Sequence, residues 1–219
     1  MDQTFEAEES RTVDAADYAH LSMKNTNGNI VIEGCEGATL TLHAVKKVKA
    51  RSEEEAREAL NAIRVVVSEE KPALRIVTDA SELKPRREYS VNYQVRVPKK
   101  MAVSVETANG NVTTSDIDAE TAARTHNGNV RVSRIEGKTS ARTTNGNAHV
   151  EDVAGPADGH TANGNVELTH IAGPASGAAT NGSVRVSMSK WEPGYEARLH
   201  SVNGNVELRT PEDISAQIT

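Results

Sequence analysis

Apolar and polar positions alternate through most of this chain in a pattern that recurs every 18 residues. Its clearest marker is the dipeptide Asn-Gly, which appears five times at that spacing between residues 109 and 182, with two further copies at residues 27 and 203. Three and five residues after the Asn stand apolar side chains such as Val130 and Val132, and the residue between them, here Arg131, is usually polar. Alternation with a period of two residues predicts a strand with one buried face.

The repeated dipeptide allows two architectures. Asn-Gly between alternating strands is a strong signal for a two-residue hairpin turn, and seven hairpins would form an antiparallel meander. The alternative is an all-β parallel β-solenoid, in which each 18-residue unit is one coil and Asn-Gly forms a corner. A fixed repeat favours the solenoid, because equivalent residues of successive coils would stack about 4.8 Å apart and Asn side chains could bond along the axis. The predicted structural ladder consists of Asn27, Gly28, Asn109, Gly110, Asn127, Gly128, Asn145, Gly146, Asn163, Gly164, Asn181, Gly182, Asn203 and Gly204.

The interior of such a solenoid must be narrow. No aromatic residue lies between Gln94 and Lys190, and a wide core would need bulk to fill it. The residue four positions before each Asn becomes smaller along the chain. This column reads Val105, Ala123, Ala141, Gly159 and Gly177.

The long interval between Asn27 and Asn109 interrupts the period. Within it, Ser52 and Glu55 form a capping box ahead of an apolar helical pattern, which predicts a helix at residues 52–63. The open end of a solenoid exposes unpaired backbone groups, so we expect this helix to cap the core. The chain is then one domain, 1–219. Its parts are a first coil at 1–38 with a weakly paired lead-in at 1–17, an insertion with the helix cap at 39–100, and regular coils at 101–219.

The last corner is preceded by a longer spacing of 22 residues, which holds Trp191 and Tyr195. These aromatic residues form either a local plug or an exposed contact. After the last corner, residues 211–219 repeat the approach that precedes earlier corners. A chain that stops within a coil would present an edge to a partner.

Charge is distributed unevenly. The formal net charge is −6, and residues 40–100 carry 14 Lys and Arg against 9 Asp and Glu. A solvated mixed surface explains this, and the alternative is a docking face for an anionic surface or an acidic partner. We expect no nucleic-acid partner.

The single cysteine, Cys35, falls in an apolar column, which indicates a buried structural thiol. No stretch is apolar enough to span a membrane and no secretory leader opens the sequence, so a complete chain of this kind would be cytoplasmic.

Three features resemble the bacterial putative-adhesin family of β-strand repeat domains, a family of unknown function. They are the repeated Thr-x-Asn-Gly-Asn-Val-x-Val phrase, the strand end Val95–Pro98 that leads into Asn109, and the Pro-Gly-Tyr approach to the last corner. The resemblance covers roughly residues 20–219 and implies a right-handed, single-stranded parallel β-solenoid in a cell-envelope setting. It brings no catalytic motif and no cofactor.

Polar columns on the outside of the coils are the candidates for chemistry. Seven residues after the corner Asn stand Asp116, Arg134, Asp152 and His170, which we interpret as a surface charge ladder. A second interpretation places Asp116 and Asp152 roughly 10 Å apart as the acid and base of a carbohydrate-active β-helix enzyme, with His170 beside them. No metal site is expected, because the histidines fall in four different columns. These are His126, His149, His160, His170 and His200.

The sequence therefore favours a non-enzymatic structural or interaction module that binds a protein or envelope partner through a rigid solenoid face. The carbohydrate-active enzyme is one alternative. The other is a self-assembling filament subunit that stacks through its carboxyl-terminal edge.

Overall fold

The computed structural model describes residues 2–84 and 87–211, in which strands follow one another with short turns and one helix. The elements in chain order are β1 (Gln3–Asp14), β2 (His20–Asn27), β3 (Ile30–Cys35), β4 (Thr39–Ala50), α1 (Glu53–Asn61), β5 (Arg64–Glu70), β6 (Ala73–Asp79), β7 (Tyr89–Pro98), β8 (Ala102–Asn109), β9 (Val112–Ile117), β10 (Thr121–Asn127), β11 (Val130–Ile135), β12 (Thr139–Asn145), β13 (Ala148–Val153), β14 (Ala157–Asn163), β15 (Val166–Ile171), β16 (Ala175–Asn181), β17 (Val184–Met188), β18 (Ala197–Asn203) and β19 (Val206–Arg209).

The regular part is a parallel β-solenoid made of two sheets. Each repeat supplies one strand to a nine-stranded sheet, turns at Asn-Gly, and supplies the next strand to a ten-stranded sheet. Neighbouring coils pair in parallel and in register, so that Asn127 lies beside both Asn109 and Asn145. The solenoid prediction is confirmed, and the hairpin alternative is wrong.

The core lies between the two sheets and is thin. Strands of the ten-stranded sheet point alternate residues such as Val150 and Leu168 inward, and both are fully buried. The facing strands contribute the small column noted above. A Cβ atom added to Gly159 would lie 2.9 Å from Leu168 Cδ2, so the small residue makes room for the large one opposite. Size complementarity across the core sets the separation of the sheets.

The insertion contributes one more coil at the amino-terminal end of the stack. Strand β2 pairs in parallel with β6 on one side and with β8 on the other, and β3 lies between β7 and β9 in the same way. Strands β2 and β3 form the first coil. Strands β6 and β7 form the coil on one side of it, and β8 and β9 form the coil on the other side, with Asn109 beside Asn27. The spatial order of the coils differs from their order in the sequence.

The predicted helix is present as α1 and closes this end. The Ser52 hydroxyl accepts a hydrogen bond from the Glu55 backbone N–H at 3.3 Å, and the Glu55 carboxylate accepts one from the Arg51 backbone N–H at 3.0 Å. The helix connects β4 of one sheet to β5 of the other and packs Ala56 and Ala59 into the core. Small residues on its buried face let it lie close over the gap between the sheets.

The first residues are a well-paired strand, contrary to the expected weak lead-in. All twelve residues of β1 pair with β4 in an antiparallel arrangement. Phe5 and Val13 of β1 pack against the core, and two ion pairs join the strands: Lys46 contacts Glu9 at 2.9 Å and Lys47 contacts Glu6 at 2.7 Å. Burial alone would raise the pKa of Glu9, but hydrogen bonds from Lys46 and Arg11 outweigh it and lower that pKa.

The acidic residues of β1 lie outside residues 40–100, the basic interval of the sequence. Their ion pairs neutralise part of the positive charge of that interval. Further ion pairs within the described residues join Lys49 to Glu88, Lys84 to Glu58 and Arg87 to Glu55. The basic interval is therefore a mixed-charge surface in the fold, which is the first of the two interpretations above.

Candidate functional site

The repeated corner carries three hydrogen-bond ladders that run along the solenoid axis. In the first, the side-chain amide of each corner Asn donates to the side-chain oxygen of the Asn one coil earlier, as Asn127 does to Asn109 at 2.8 Å. Six such bonds, each 2.8 or 2.9 Å long, link Asn27, Asn109, Asn127, Asn145, Asn163, Asn181 and Asn203 in order. The predicted Asn ladder is thus present at every corner.

Each corner Gly lies directly against the corner one coil earlier. Gly146 has φ +147, and a Cβ atom added there would come within 2.0 Å of the Gly128 carbonyl oxygen. The same close approach recurs at Gly28, Gly110, Gly128, Gly164, Gly182 and Gly204. The Gly is needed both for its backbone conformation and for the space it leaves.

Two further ladders were not predicted. The second Asn of each Asn-Gly-Asn accepts from the backbone N–H one coil later, as Asn111 does from Asn129 at 2.8 Å. The hydroxyl two residues before the corner donates to the Gly carbonyl of the previous coil, as Thr125 does to Gly110 at 2.8 Å. Both columns are visible in the sequence, and their recurrence was the signal that could have identified them.

A buried polar cluster ends these ladders at the amino-terminal coil. Asn25 takes the place of the repeated Thr, and its side-chain amide donates to the Val91 carbonyl at 2.8 Å. The Thr78 hydroxyl donates to the Asn25 side-chain oxygen at 2.9 Å and lies 2.6 Å from the Tyr93 hydroxyl. Burial raises the pKa of Tyr93 to about 12, so this phenol stays neutral and serves structure.

The outer column seven residues after the corner adopts a left-handed backbone. Asp116, Arg134, Asp152 and His170 have φ between 54° and 62°, a region that residues other than Gly seldom occupy. Arg134 donates two hydrogen bonds of 2.8 Å to the Asp116 carboxylate. Hydrogen bonding by Arg134 lowers the pKa of Asp116 below its usual value.

The ion pair between Arg134 and Asp116 affects whether Asp116 and Asp152 could serve as the acid and base of a carbohydrate-active enzyme. A general acid needs a raised pKa, whereas Asp116 has a lowered one and both of its oxygens are engaged by Arg134. Asp152 in turn lies 3.1 Å from His170 Nδ1. Both carboxylates of this column thus contact a side chain of the next coil, Asp116 that of Arg134 and Asp152 that of His170.

Replacing Arg134 with Gln is expected to lower the free energy of unfolding by about 0.5 kcal/mol at pH 7. The pKa of Asp116 is lowered in the folded state, so its contribution is present above the ordinary Asp range near 3.9 and is lost as the pH falls through the lowered value. Urea unfolding of both proteins between pH 7 and pH 2 would measure this. In an Asp116→Asn background the Arg134 substitution should have little effect, and a difference that does not depend on pH would contradict the assignment.

The histidines are divided between the two sheets. His126, His160 and His200 lie on β10, β14 and β18 of the nine-stranded sheet. His149 and His170 belong to neighbouring coils of the other sheet and contact the consecutive carboxylates Glu151 and Asp152. Column spacing placed Asp152 beside His170 but did not bring Glu151 to the same side. The left-handed residue at 152 turns its side chain out of the strand alternation, so both carboxylates lie outside.

The carboxyl-terminal end of the stack is open within the described residues. Strands β18 and β19 are the last members of their sheets. Val206 and Leu208 stand in columns that are fully buried in the preceding coils, yet they are 49% and 43% exposed. Residues 212–219, where the repeat pattern restarts, lie outside the described part of the chain.

The two aromatic residues of the longer spacing are half-buried. Trp191 and Tyr195 pack against the core between β17 and β18. The Tyr195 backbone N–H donates to the Glu192 carbonyl at 3.0 Å, which closes a turn. Both side chains therefore contact the core while part of each remains exposed.

The family model of Toastrack DUF4097 matches residues 18–219. A comparison with curated proteins returned no match. Within the described residues no helix has the length and apolar character needed to cross a membrane.

Three solved structures resemble the chain at low sequence identity. A putative cell adhesion protein from Clostridium sporogenes is 10% identical with a TM-score of 0.48, over 94% of this chain and 100% of that chain. A putative adhesin from Bacteroides fragilis is 14% identical with a TM-score of 0.45, over 94% and 97%. A putative lipid binding protein from Parabacteroides distasonis is 10% identical with a TM-score of 0.41, over 91% and 96%.

Proposed function

Because this chain belongs to the Toastrack DUF4097 family, we propose that it is a non-enzymatic interaction module that binds a protein partner in a cell-envelope setting. The observation that carries the proposal is the open carboxyl-terminal end of the solenoid. There the apolar interior reaches solvent at Val206 and Leu208, and the outer edges of β18 and β19 have no neighbouring strand among the described residues.

Such an end supports binding by strand addition. An edge strand offers a row of backbone donors and acceptors, and a partner strand gains affinity from them while its side chains enter apolar positions. Two edges lie side by side here, so a partner with a strand, a corner and a second strand could continue the coil. The terminal ladder residue Asn203 would accept the next Asn of such a partner in the way that Asn181 accepts Asn203 at 2.9 Å.

Contact through a flat face is the other arrangement that the repeat allows. On the ten-stranded sheet a shallow groove of about 440 Å³ follows the second-Asn column past Asn129, Asn147 and Asn165. Polar groups beside it already pair with one another, as His149 does with Glu167 at 3.2 Å. The open end has the stronger support, because its apolar residues and strand edges lack such internal partners within the described chain.

Filament assembly has less support than a finite contact. Endless stacking needs a second end that offers matching parallel edges. The amino-terminal end instead presents the antiparallel strands β1 and β5, with α1 over the core between them. A second copy could still pair tail to tail with the first, which would end at a dimer.

We expect a synthetic peptide of residues 139–153, which contains β12, the corner and β13, to bind the full chain. Replacing Val206 and Leu208 with Lys should abolish this binding, because charge would then stand where the apolar interior continues. The matched control replaces Val31 and Val66 with Lys, since these lie elsewhere at similar exposures of 42% and 40%. Fluorescence anisotropy of the labelled peptide measures binding, and light scattering over a concentration series reports self-association.

The proposal fails if the wild-type chain neither binds the peptide nor associates with itself. It also fails if the Val206 and Leu208 substitutions leave binding unchanged. Growth of the molar mass without limit would favour the filament, whereas a plateau at twice the chain mass would identify the tail-to-tail dimer.

A further inference from the structure

Two histidines and two consecutive carboxylates meet on the outer surface of the ten-stranded sheet. His170 Nδ1 lies 3.1 Å from an Asp152 oxygen, and His149 Nε2 lies 3.5 Å from a Glu151 oxygen. The ligand atoms of Glu151, Asp152 and His170 all lie within 4.8 Å of one another. The cluster joins two neighbouring coils, because the carboxylates lie on β13 and His170 lies on β15, the strand that pairs with β13.

The backbone explains why consecutive acids share one side. In a regular strand Glu151 and Asp152 would point to opposite faces of the sheet. Asp152 has φ 54°, which interrupts the alternation at the strand end and leaves both carboxylates outside while Val153 returns to the core. His170 has φ 56° on the next coil and therefore projects in the same direction.

We infer that Glu151, Asp152 and His170 form a binding site for a divalent transition-metal ion of the Zn²⁺ type. One nitrogen and two carboxylate oxygens are suitable zinc ligands, and adjacent ligand atoms on a tetrahedral zinc ion are about 3.3 Å apart. The distance of 3.1 Å between His170 Nδ1 and Asp152 is close to that value. The imidazole favours zinc over Mg²⁺ or Ca²⁺, which prefer oxygen ligands.

His149 is a positioning residue in this site. Its ring lies between Glu151 and Glu167, at 3.5 Å and 3.2 Å from their oxygens, and it is the less exposed of the two histidines. A ring held from both sides restricts the Glu151 carboxylate to positions near Asp152. Solvent fills the remaining coordination positions, because the site lies on an open surface.

The chain contains an internal comparison for this site two coils earlier. Asp116 and Arg134 have the same column positions and similar φ values of 62° and 54°. At this level Arg134 stands at the position that His170 has in the proposed site. Ser115 likewise stands at the position of Glu151. A guanidinium carries no lone pair for a metal, so the same backbone forms an ion pair at one level and a ligand set at the other.

The test is calorimetric titration of Zn²⁺ into the full chain after removal of any affinity tag, with Mg²⁺ titrated in parallel. We expect one Zn²⁺ to bind per chain and Mg²⁺ to give no comparable binding. His170→Arg should weaken Zn²⁺ binding at least about tenfold. It should also preserve the fold, because it recreates at Asp152 the ion pair that Arg134 makes with Asp116.

His160→Gln is the control, since His160 lies on the opposite sheet and its loss should leave Zn²⁺ affinity unchanged. Asp152→Asn is a second variant, because Asn tolerates the left-handed backbone while being a poor zinc ligand. Imidazole NMR signals of His170 should shift with Zn²⁺ in the wild type. The inference is overturned if the wild type binds no Zn²⁺, or if both His170→Arg and Asp152→Asn bind it as tightly as the wild type.

Discussion

Replacing Gly146 with Ala is expected to destabilise the folded protein by more than about 4 kcal/mol, or to prevent folding altogether. The new Cβ atom would lie 2.0 Å from the Gly128 carbonyl oxygen, and φ +147 is strained for any residue with a side chain. The Gly128 backbone cannot withdraw, because its N–H donates to the Asn145 carbonyl at 2.9 Å. Relief would require the two coils to separate and to break all three ladders at this level.

Gly37→Ala is the matched control for backbone strain without collision. Gly37 has φ +100, but no atom lies within 4 Å of a Cβ atom placed there. We expect the substitution to lower the free energy of unfolding by about 1–2 kcal/mol, because it introduces backbone strain without a steric clash. Urea unfolding followed by circular dichroism would compare the variants. Equal losses for Gly37→Ala and Gly146→Ala would show that stacking distance at the corner does not limit stability.

Leu168→Ala should lower the free energy of unfolding by about 3 kcal/mol, because Leu168 is fully buried in a core only two side chains deep. The cavity would open opposite Gly159, whose missing side chain gives Leu168 its space. Small neighbours on rigid sheets cannot collapse to fill it, so the loss should lie in the ordinary range for buried Leu.

A compensating substitution tests the size relation across the core. Gly159→Ala alone would place a Cβ atom 2.7 Å from Val166 Cγ1 and 2.9 Å from Leu168 Cδ2, with an expected cost of about 1–3 kcal/mol. In the Leu168→Ala background the second contact disappears and the methyl group enters the cavity. The double variant should therefore be at least about 1 kcal/mol more stable than the two separate losses predict. Strict additivity in a double-mutant cycle would contradict the conclusion that Gly159 and Leu168 face each other across the core.

The corner and the thin core were predictable because the repeat records contacts between identical positions. When coil follows coil at one spacing, each residue contacts its own equivalent, so a column of Asn or Val in the sequence is also a column in space. The helix was predictable for a local reason, since Ser52 and Glu55 cap it within one turn. Both kinds of prediction need only short-range or periodic information.

The amino-terminal strands could not be predicted in the same way. Strand β1 shows no repeat marker, and its pairing with β4 joins residues far apart in the sequence, such as Lys46 and Glu9, which are 37 residues apart. The coil of β6 and β7 lacks an Asn-Gly corner as well. It pairs with β2 and β3 and is joined to the first coil by the Asn25, Thr78 and Tyr93 cluster, which combines three distant segments.

By itself the sequence determined the 18-residue coil, the Asn-Gly corner and the small-residue interior of this protein, because stacking in register makes the same demand at every level. Only the tertiary structure decided the spatial order of the coils, the neutralisation of the basic interval by β1, and the position of Glu151 beside the pair of Asp152 and His170. These features depend on which segments become neighbours and on the left-handed residues near the ends of four strands, Asp116, Arg134, Asp152 and His170. Long-range packing determines the first, which has no period in the sequence. The left-handed residues do recur every 18 positions, but the residue types in that column do not reveal their backbone conformation.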